Sequence, residues 1–302
     1  MLRQSIDTYL ALRRAVGFQL KTEEHLLHDF ARWASECGET HVRTRTATEW
    51  AAAGRSTWQR ERRLRVVAGF ARHARAEDSR HDVPPIFVFG RRHVRPRPHI
   101  YSPNEVGRLL EAASRLPAIW PLRPQIFTTL FGLLASTGLR VSEALALRLG
   151  DVTSDGLVIR KTKFDKSRLV PLHETVDLAL GRYLEVRRHV RTRTDHVFVS
   201  PKGGRLSHST VHKWFLRLTR ETGLRSGPGP PGPRIHDLRH TFAVRALEAC
   251  PQDGTVGWRM RALSTYLGHS HPADTCWYLH ATPQLMRGVA DACERFLEGG
   301  AR

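Results

Sequence analysis

Two regions of this 302-residue sequence are separated by the stretch Gly90-Arg91-Arg92-His93-Val94-Arg95-Pro96-Arg97-Pro98. Its two prolines exclude a helix and favour an extended, semi-rigid path. Soon afterwards, Ser102-Pro103-Asn104-Glu105 combines a capping box with a proline at the first helical position, which predicts that a new helix begins there. A single core usually stops growing near this chain length. The sequence therefore predicts a domain over residues 1–90, a linker over 91–100 and a second domain over 101–302.

The first domain is predicted to be helical. Helices over 3–16 and 22–36 should end at Gly17 and Gly38, and a longer helix should begin near residue 57. Much of the surface of that longer helix carries arginine, at Arg60, Arg62, Arg63, Arg65, Arg72 and Arg75. These side chains form either a solvated helix face or a face that contacts phosphates, and the pattern favours neither. We take Arg60 and Arg63 as candidate phosphate contacts, together with Arg91, Arg92, Arg95 and Arg97 of the linker.

The charge balance points to an acidic partner. The chain has 48 Lys plus Arg against 29 Asp plus Glu, a net charge of +19. Nucleic acid is the commonest polyanion partner, and an anionic membrane surface is the alternative. An arginine-rich genome would give a similar composition without any such role. No apolar run approaches the ~18 residues of a spanning helix, and the N-terminus lacks a signal-peptide pattern, so we expect a cytoplasmic, nucleoid-associated protein. The four cysteines form no C-x-x-C pair and predict no zinc ribbon.

The second domain is predicted to be mainly helical, with a small antiparallel sheet. Strands over 157–161 and 168–172 should form a hairpin, and a short strand is expected at 197–199. The predicted helices cover 103–115, 124–137, 174–190, 236–249, 258–267, 272–280 and 284–298. The loop over 227–233 is too rich in proline and glycine for regular structure. The fold class is therefore mainly α, of the α+β type.

Four short segments of this domain concentrate side chains that suit one chemistry. Each side chain alone has an ordinary explanation: Arg140 could pair with Glu143 on a helix surface, and Tyr278 could be a core aromatic residue. The relevant set is Arg140, Lys163, His236, Arg239, His269 and Tyr278. Cleavage of a phosphodiester by transesterification needs cations at the phosphate oxygens, a nucleophile and a general acid. Arginine, tyrosine and lysine, with histidines for hydrogen bonding and proton transfer, supply these without a metal or a cofactor.

The motifs that carry these residues resemble the tyrosine recombinase (phage integrase) family. They are Thr137-Gly138-Leu139-Arg140-Val141-Ser142-Glu143, Lys163 before Lys166-Ser167-Arg168-Leu169-Val170-Pro171-Leu172, His236-Asp237-Leu238-Arg239-His240, and Leu267-Gly268-His269 with Tyr278. The segments follow one another in the family's order. The resemblance implies that residues 1–90 are a core-binding domain and that 101–302 are catalytic.

The resemblance also implies roles for the site residues. Tyr278 would attack the phosphate to give a 3′-phosphotyrosine, while Arg140 and Arg239 would bind its non-bridging oxygens. His236 and His269 would assist, Glu143 would support the site, and Lys163 would protonate the 5′-oxygen. Lys161 and Lys166 are the alternatives for the lysine role, because the register of a hairpin is hard to fix from sequence.

Family resemblance further implies double-stranded DNA as substrate, clasped by the two domains. Four protomers, or partner recombinases, would act on two DNA sites. Residues 284–298 would either dock on a neighbouring protomer or pack within their own chain. The segment Leu263-Ser264-Thr265-Tyr266-Leu267-Gly268-His269 is similar to recombinases of transposable elements. Two other functions share parts of this pattern: a type IB topoisomerase, and a non-catalytic DNA-binding regulator on the same fold.

Overall fold

The chain forms two compact units, Met1–Pro96 and Arg97–Arg302. The computed structural model describes residues 1–90, 97–118, 120, 122–160, 167–226, 232–249, 256–268 and 275. Within these ranges, none of the helices combines the length and the apolar character that crossing a membrane requires.

The first unit contains four described helices around one core. They are α1 (Leu2–Ala15), α2 (Lys21–Glu36), α3 (Thr44–Ala52) and α4 (Thr57–Glu77). The left-handed Gly17 and Gly38 follow the first two helices, as the sequence predicts. Ser56 caps α4 by accepting a hydrogen bond from the backbone N–H of Gln59 at 3.2 Å. The largest buried side chains of this core are Ile6, Leu10, Leu27, Phe30, Trp50 and Phe70.

The second unit is also mainly helical. Its described helices are α5 (Pro103–Ser114), α6 (Arg123–Thr137), α7 (Val141–Ala146), α8 (Glu174–Arg188), α9 (His208–Glu221), α10 (His236–Glu248) and α11 (Val256–Leu267). The predicted capping box is present in full at α5. Ser102 Oγ accepts from the Glu105 N–H at 3.2 Å, and Glu105 Oε2 accepts from the Ser102 N–H at 2.7 Å.

A three-stranded antiparallel sheet accompanies these helices. The strands β1 (Val152–Thr153), β2 (Gly156–Ile159) and β3 (Arg168–Val170) lie in the order β1-β2-β3. Leu157 pairs with Val170 and Ile159 with Arg168, so the predicted hairpin is present. The mainly helical fold with a small antiparallel sheet is thereby confirmed.

Two details differ from the sequence-based expectation. Residues 197–199 are buried, but they do not join the sheet: Val199 forms an isolated bridge with Arg205, and the Val197 N–H donates to the carbonyl oxygen of Leu147. Helix α9 was not predicted, although Ser207 caps it and Val211, Phe215 and Leu218 form its buried stripe. The helix expected over 284–298, the helix expected over 272–280 apart from the helical Thr275, and most of the loop over 227–233 lie outside the described residues.

Candidate active site

Arg140 lies at the turn between α6 and α7. Gly138 ends α6 in a left-handed conformation, with φ of +62°. A Cβ atom at this position would lie 2.6 Å from the ring of Phe242, so both the backbone angle and the packing require glycine. Arg140 is the N-cap residue of α7, directly after this turn. Its backbone N–H donates to Glu143 Oε2 at 3.0 Å. Its Nη1 donates to Glu143 Oε1 at 2.7 Å, and 34% of its side chain is exposed.

Arg239 lies on α10 and is almost wholly buried, with 2% of the residue exposed. Its Nη1 donates to the carbonyl oxygen of Gly138 at 2.6 Å. Its Nη2 donates to the carbonyl oxygen of Leu267 at 2.7 Å. Because a buried charge is costly without polar partners, these bonds hold the guanidinium in one place. Arg239 therefore links the end of α6 to the end of α11.

Glu143 is held between two guanidinium groups. Arg140 bonds it from α7, and Arg168 of β3 donates to Oε1 at 3.2 Å and to Oε2 at 2.8 Å. Burial by itself would raise the pKa of Glu143, but the hydrogen bonds and charges of Arg168 and Arg140 outweigh burial and lower the pKa. Glu143 is therefore ionised at neutral pH.

His236 is the first residue of α10. Desolvation by the groups packed around the ring lowers the pKa of His236, and the charges of Arg239 and Arg140 lower it further, against the opposing effect of Asp237. The residue keeps an exposed side, so water screens part of this shift. A lowered pKa leaves the imidazole neutral at pH 7, and a neutral imidazole can accept a proton.

Two of the predicted site residues, Arg140 and Arg239, thus bond the backbone at the end of α11, Glu143 bonds Arg140, and the charges of both arginines act on His236. The carbonyl oxygen of Gly268, the residue before His269, accepts from Arg140 Nη2 at 3.1 Å. Lys163, His269 and Tyr278 lie outside the described residues, as do the alternative lysines Lys161 and Lys166.

Arg168 was not among the predicted site residues. Its position in the sequence motif gave a signal, because it follows Lys163 by five residues at the start of the second strand of the hairpin. The motif alone does not show that the side chain turns inward. In the structure, only 11% of that side chain is exposed.

Two of the predicted phosphate contacts, Arg60 and Arg63 of the first unit, bond groups of their own domain, and their contact with DNA stays a prediction. Arg60 donates to the carbonyl oxygen of Gly54 at 2.8 Å. Arg63 donates to Asp29 at 3.0 Å and lies 4.1 Å from the ring centre of Trp50. Both side chains therefore stabilise their own domain. On the same helix Arg65, Arg72 and Arg75 are exposed. Arg97 is also exposed, and Arg91, Arg92 and Arg95 lie outside the described residues.

One trio among the described residues has spacing suited to a metal ion: His41, Asp78 and His81. Its hydrogen bonds fit a structural role better. Nδ1 of His81 accepts from the backbone N–H of Val42 at 3.0 Å, so the neutral ring carries its proton on Nε2. His41 bonds Asp78 at 3.1 Å, and Arg80 bonds the same carboxylate. Neither nitrogen of His81 then offers a lone pair to a metal.

Comparison with known proteins agrees with this architecture. The family model described as the phage integrase family matches residues 100–284. A Sinorhizobium fredii protein named integrase/recombinase y4rB is 40% identical over 306 residues, covering 97% of each chain. Tyrosine recombinase XerD of Oceanobacillus iheyensis is 30% identical over 241 residues, covering 78% of this chain and 75% of its own. A solved Tn1549 transposon integrase in complex with transposon right end DNA has a TM-score of 0.68 at 19% identity, covering 97% of this chain and 98% of its own.

The chain therefore belongs to the phage integrase family, the tyrosine recombinases. It is a site-specific DNA recombinase, an enzyme that transfers DNA strands. The resemblance stated from the sequence motifs is confirmed. The relatives support recombination, and they do not support the topoisomerase or the regulator.

Proposed function

We propose that the site around the end of α11 cleaves and rejoins DNA by transesterification, with Arg140 and Arg239 binding the scissile phosphate. The supporting observation is that two arginines, distant in sequence, converge on the same turn of backbone. A phosphodiester gains negative charge at its equatorial oxygens in the transition state, and fixed cations stabilise that charge without reorganising. The exposed side of Arg140 faces solvent, where a phosphate can approach.

Tyr278 is the proposed nucleophile. Its hydroxyl oxygen bonds to phosphorus, the bond from phosphorus to the 5′-oxygen breaks, and a 3′-phosphotyrosine and a 5′-hydroxyl result. The tyrosine proton passes to a neutral imidazole, and Lys163 gives a proton to the leaving 5′-oxygen, with His236 and His269 assisting. Rejoining reverses these steps with the 5′-hydroxyl of another strand. One phosphodiester replaces another, so the exchange requires no external energy source.

The direct test is covalent capture on nicked suicide DNA substrates. Loss of the short fragment next to the nick prevents rejoining, so the phosphotyrosine accumulates. End-labelled DNA should then migrate with the added mass of the protein on a denaturing gel. Tight binding to the cognate site without any adduct, also in the presence of the partner recombinases, would contradict the proposal.

Lys163→Ala should lose cleavage of ordinary DNA and recover it on DNA with sulfur at the 5′-bridging position. The physical reason is that a thiolate leaves without protonation, whereas an alkoxide requires a general acid. The measurement is the single-turnover cleavage rate on both substrates. General acids typically contribute about 10²- to 10⁴-fold to the rate, which sets the expected loss.

Lys161→Ala is the matched control, since it removes a lysine of the same segment. It should cleave both substrates at nearly the wild-type rate. Rescue by sulfur in the Lys161 variant, and not in the Lys163 variant, would transfer the role of general acid to Lys161.

Double-stranded DNA is the proposed partner of both domains, with residues 1–90 and the linker over 91–100 binding it beside the catalytic region over 101–302. We further propose four protomers, or partner recombinases, on two DNA sites, with residues 284–298 as the docking segment. A mobile element as the genetic context and a cytoplasmic, nucleoid-associated location belong to the same proposal.

The double variant Arg65→Ala/Arg72→Ala should bind DNA more weakly and with a smaller dependence on salt. Both side chains are exposed on α4, and they lie two turns apart on one face. Each phosphate contact contributes a slope of about 0.9 in log affinity against log salt, so losing two contacts should reduce the slope by about 1.8. Fluorescence anisotropy at several salt concentrations measures it.

Arg63→Ala serves as the comparison on the same helix. Arg63 bonds Asp29 and packs on the ring of Trp50, so removing its side chain should lower the melting temperature. The slope of log affinity against log salt should stay unchanged. An unchanged slope in the double variant would show that this face of α4 does not contact phosphates.

A further inference from the structure

Three consecutive carbonyl groups at the end of α11 are each bound by a different arginine. Arg168 Nε donates to the carbonyl oxygen of Tyr266 at 2.7 Å. Arg239 binds that of Leu267 at 2.7 Å, and Arg140 binds that of Gly268 at 3.1 Å. The last carbonyls of a helix have no partner within the helix and carry partial negative charge, so they favour such cations. The backbone that leads into His269 is thus held from β3, α10 and the start of α7.

Arg168 also passes directly over the residue that follows α11. Gly268 has φ of +66°, and a Cβ atom at this position would lie 2.7 Å from Nη1 of Arg168. Only glycine fits at this distance and this backbone angle. The guanidinium of Arg168 and the backbone before His269 are therefore packed against each other.

The carboxylate of Glu143 is shared by Arg140 and Arg168. Each oxygen accepts two hydrogen bonds: Oε1 from the two guanidinium groups, and Oε2 from Arg168 and from the backbone N–H of Arg140. A carboxylate offers about four acceptor positions, and here all are filled. With 9% of its side chain exposed, Glu143 is poorly screened by water.

The charges of Arg140, Glu143 and Arg168 indicate an electrostatic role for Arg168 in addition to its packing. Arg140 and Glu143 alone would form a neutral pair, which has little attraction for an anion. Arg168 adds a second positive charge, so the three side chains together carry one net positive charge. A phosphate that approaches the exposed side of Arg140 then meets a positive potential.

We propose that Arg168 is a positioning residue, which balances the charge of Glu143 so that Arg140 attracts the scissile phosphate, and which fixes the backbone before His269. This inference rests on the proposed role of Arg140 as a phosphate ligand. Arg168 itself does not touch the reacting atoms.

The test compares two DNA substrates in single-turnover cleavage. One has the normal scissile phosphate, and the other has a neutral methylphosphonate at that position. Arg168→Gln should slow cleavage of the phosphate substrate by about 10- to 100-fold, the size seen for residues that support metal ligands. It should slow cleavage of the methylphosphonate by a clearly smaller factor, because this group carries one negative charge less than the phosphate, both when it binds and in the transition state, and therefore responds less to the lost potential.

A second variant tests the charge argument independently of folding. Glu143→Gln/Arg168→Gln removes both charges and restores one net positive charge through Arg140. It should recover cleavage of the phosphate substrate relative to Arg168→Gln alone. A purely structural role for Arg168 predicts instead that the double variant cleaves no faster than the single variant.

Arg187→Gln is the matched control, because Arg187 is a buried arginine of the same unit that binds the carbonyl oxygens of Thr194 and His196 at 2.9 and 3.1 Å. It should affect both substrates by the same factor. An equal loss on both substrates for Arg168→Gln, or no loss, would overturn the inference. If Arg140→Ala cleaves the phosphate substrate normally, the proposed function fails. Slow cleavage by Arg140→Ala, with normal cleavage by Arg168→Gln, would reject the inference alone.

Discussion

Tyr278→Phe is expected to abolish covalent capture of DNA and to leave DNA binding unchanged. The substitution removes one oxygen atom, and that oxygen is the proposed nucleophile. No other atom of the ring can attack phosphorus, so the cleavage rate should fall by roughly 10⁴-fold or more, as for other nucleophiles of covalent catalysis. DNA affinity depends on phosphate contacts across the protein and should stay within about twofold.

The measurement combines the suicide-substrate gel with an anisotropy titration. Tyr266→Phe is the matched control, because it removes the hydroxyl of another tyrosine in the same part of the chain. The ring of Tyr266 stacks on that of Phe242, with 5.5 Å between the centroids. Phenylalanine preserves that stacking, so cleavage should remain near the wild-type rate. A covalent adduct that persists in Tyr278→Phe would reject this tyrosine as the nucleophile.

Arg239→Lys should lose nearly all cleavage although it keeps the positive charge. Arginine spans the carbonyl oxygens of Gly138 and Leu267 with two nitrogens of one planar group. A lysine ammonium is a single point charge and cannot reach both carbonyl oxygens in the same geometry. We expect a loss of about 10²- to 10³-fold in cleavage, the cost of removing one fixed donor from a developing anion. A buried carbonyl without its partner should also lower the free energy of unfolding by about 1–3 kcal/mol.

Arg245→Lys provides the control on the same helix. Arg245 donates to the carbonyl oxygen of Tyr101 at 2.8 Å, and the residue is exposed, so a lysine there should be tolerated in both cleavage and stability. Single-turnover cleavage and denaturant unfolding measure the two effects. Normal cleavage by Arg239→Lys would show that charge alone suffices and that the fork has no catalytic importance.

Local signals in the sequence predicted much of the fold. Helix caps act through neighbouring backbone, so they can be recognised from the sequence alone. Examples are the capping box at Ser102 and Glu105 and the glycines that end α1 and α2. Helix α9 carried the same kind of signal at Ser207 and was nevertheless missed. The prediction of a strand over 197–199 was wrong for a different reason: apolar residues favour burial, but they do not specify a pairing partner.

The sequence by itself determined the family, the order of the motifs and the residue types that the chemistry needs. Only the tertiary structure decided which backbone and carboxylate groups the arginines bind. Arg60 and Arg63 bind their own domain, whereas Arg168 joins Glu143 and the end of α11. These contacts join residues up to 98 positions apart. The partner of a long, charged side chain depends on which backbone the packing brings within about 3 Å, and no local pattern encodes that distance.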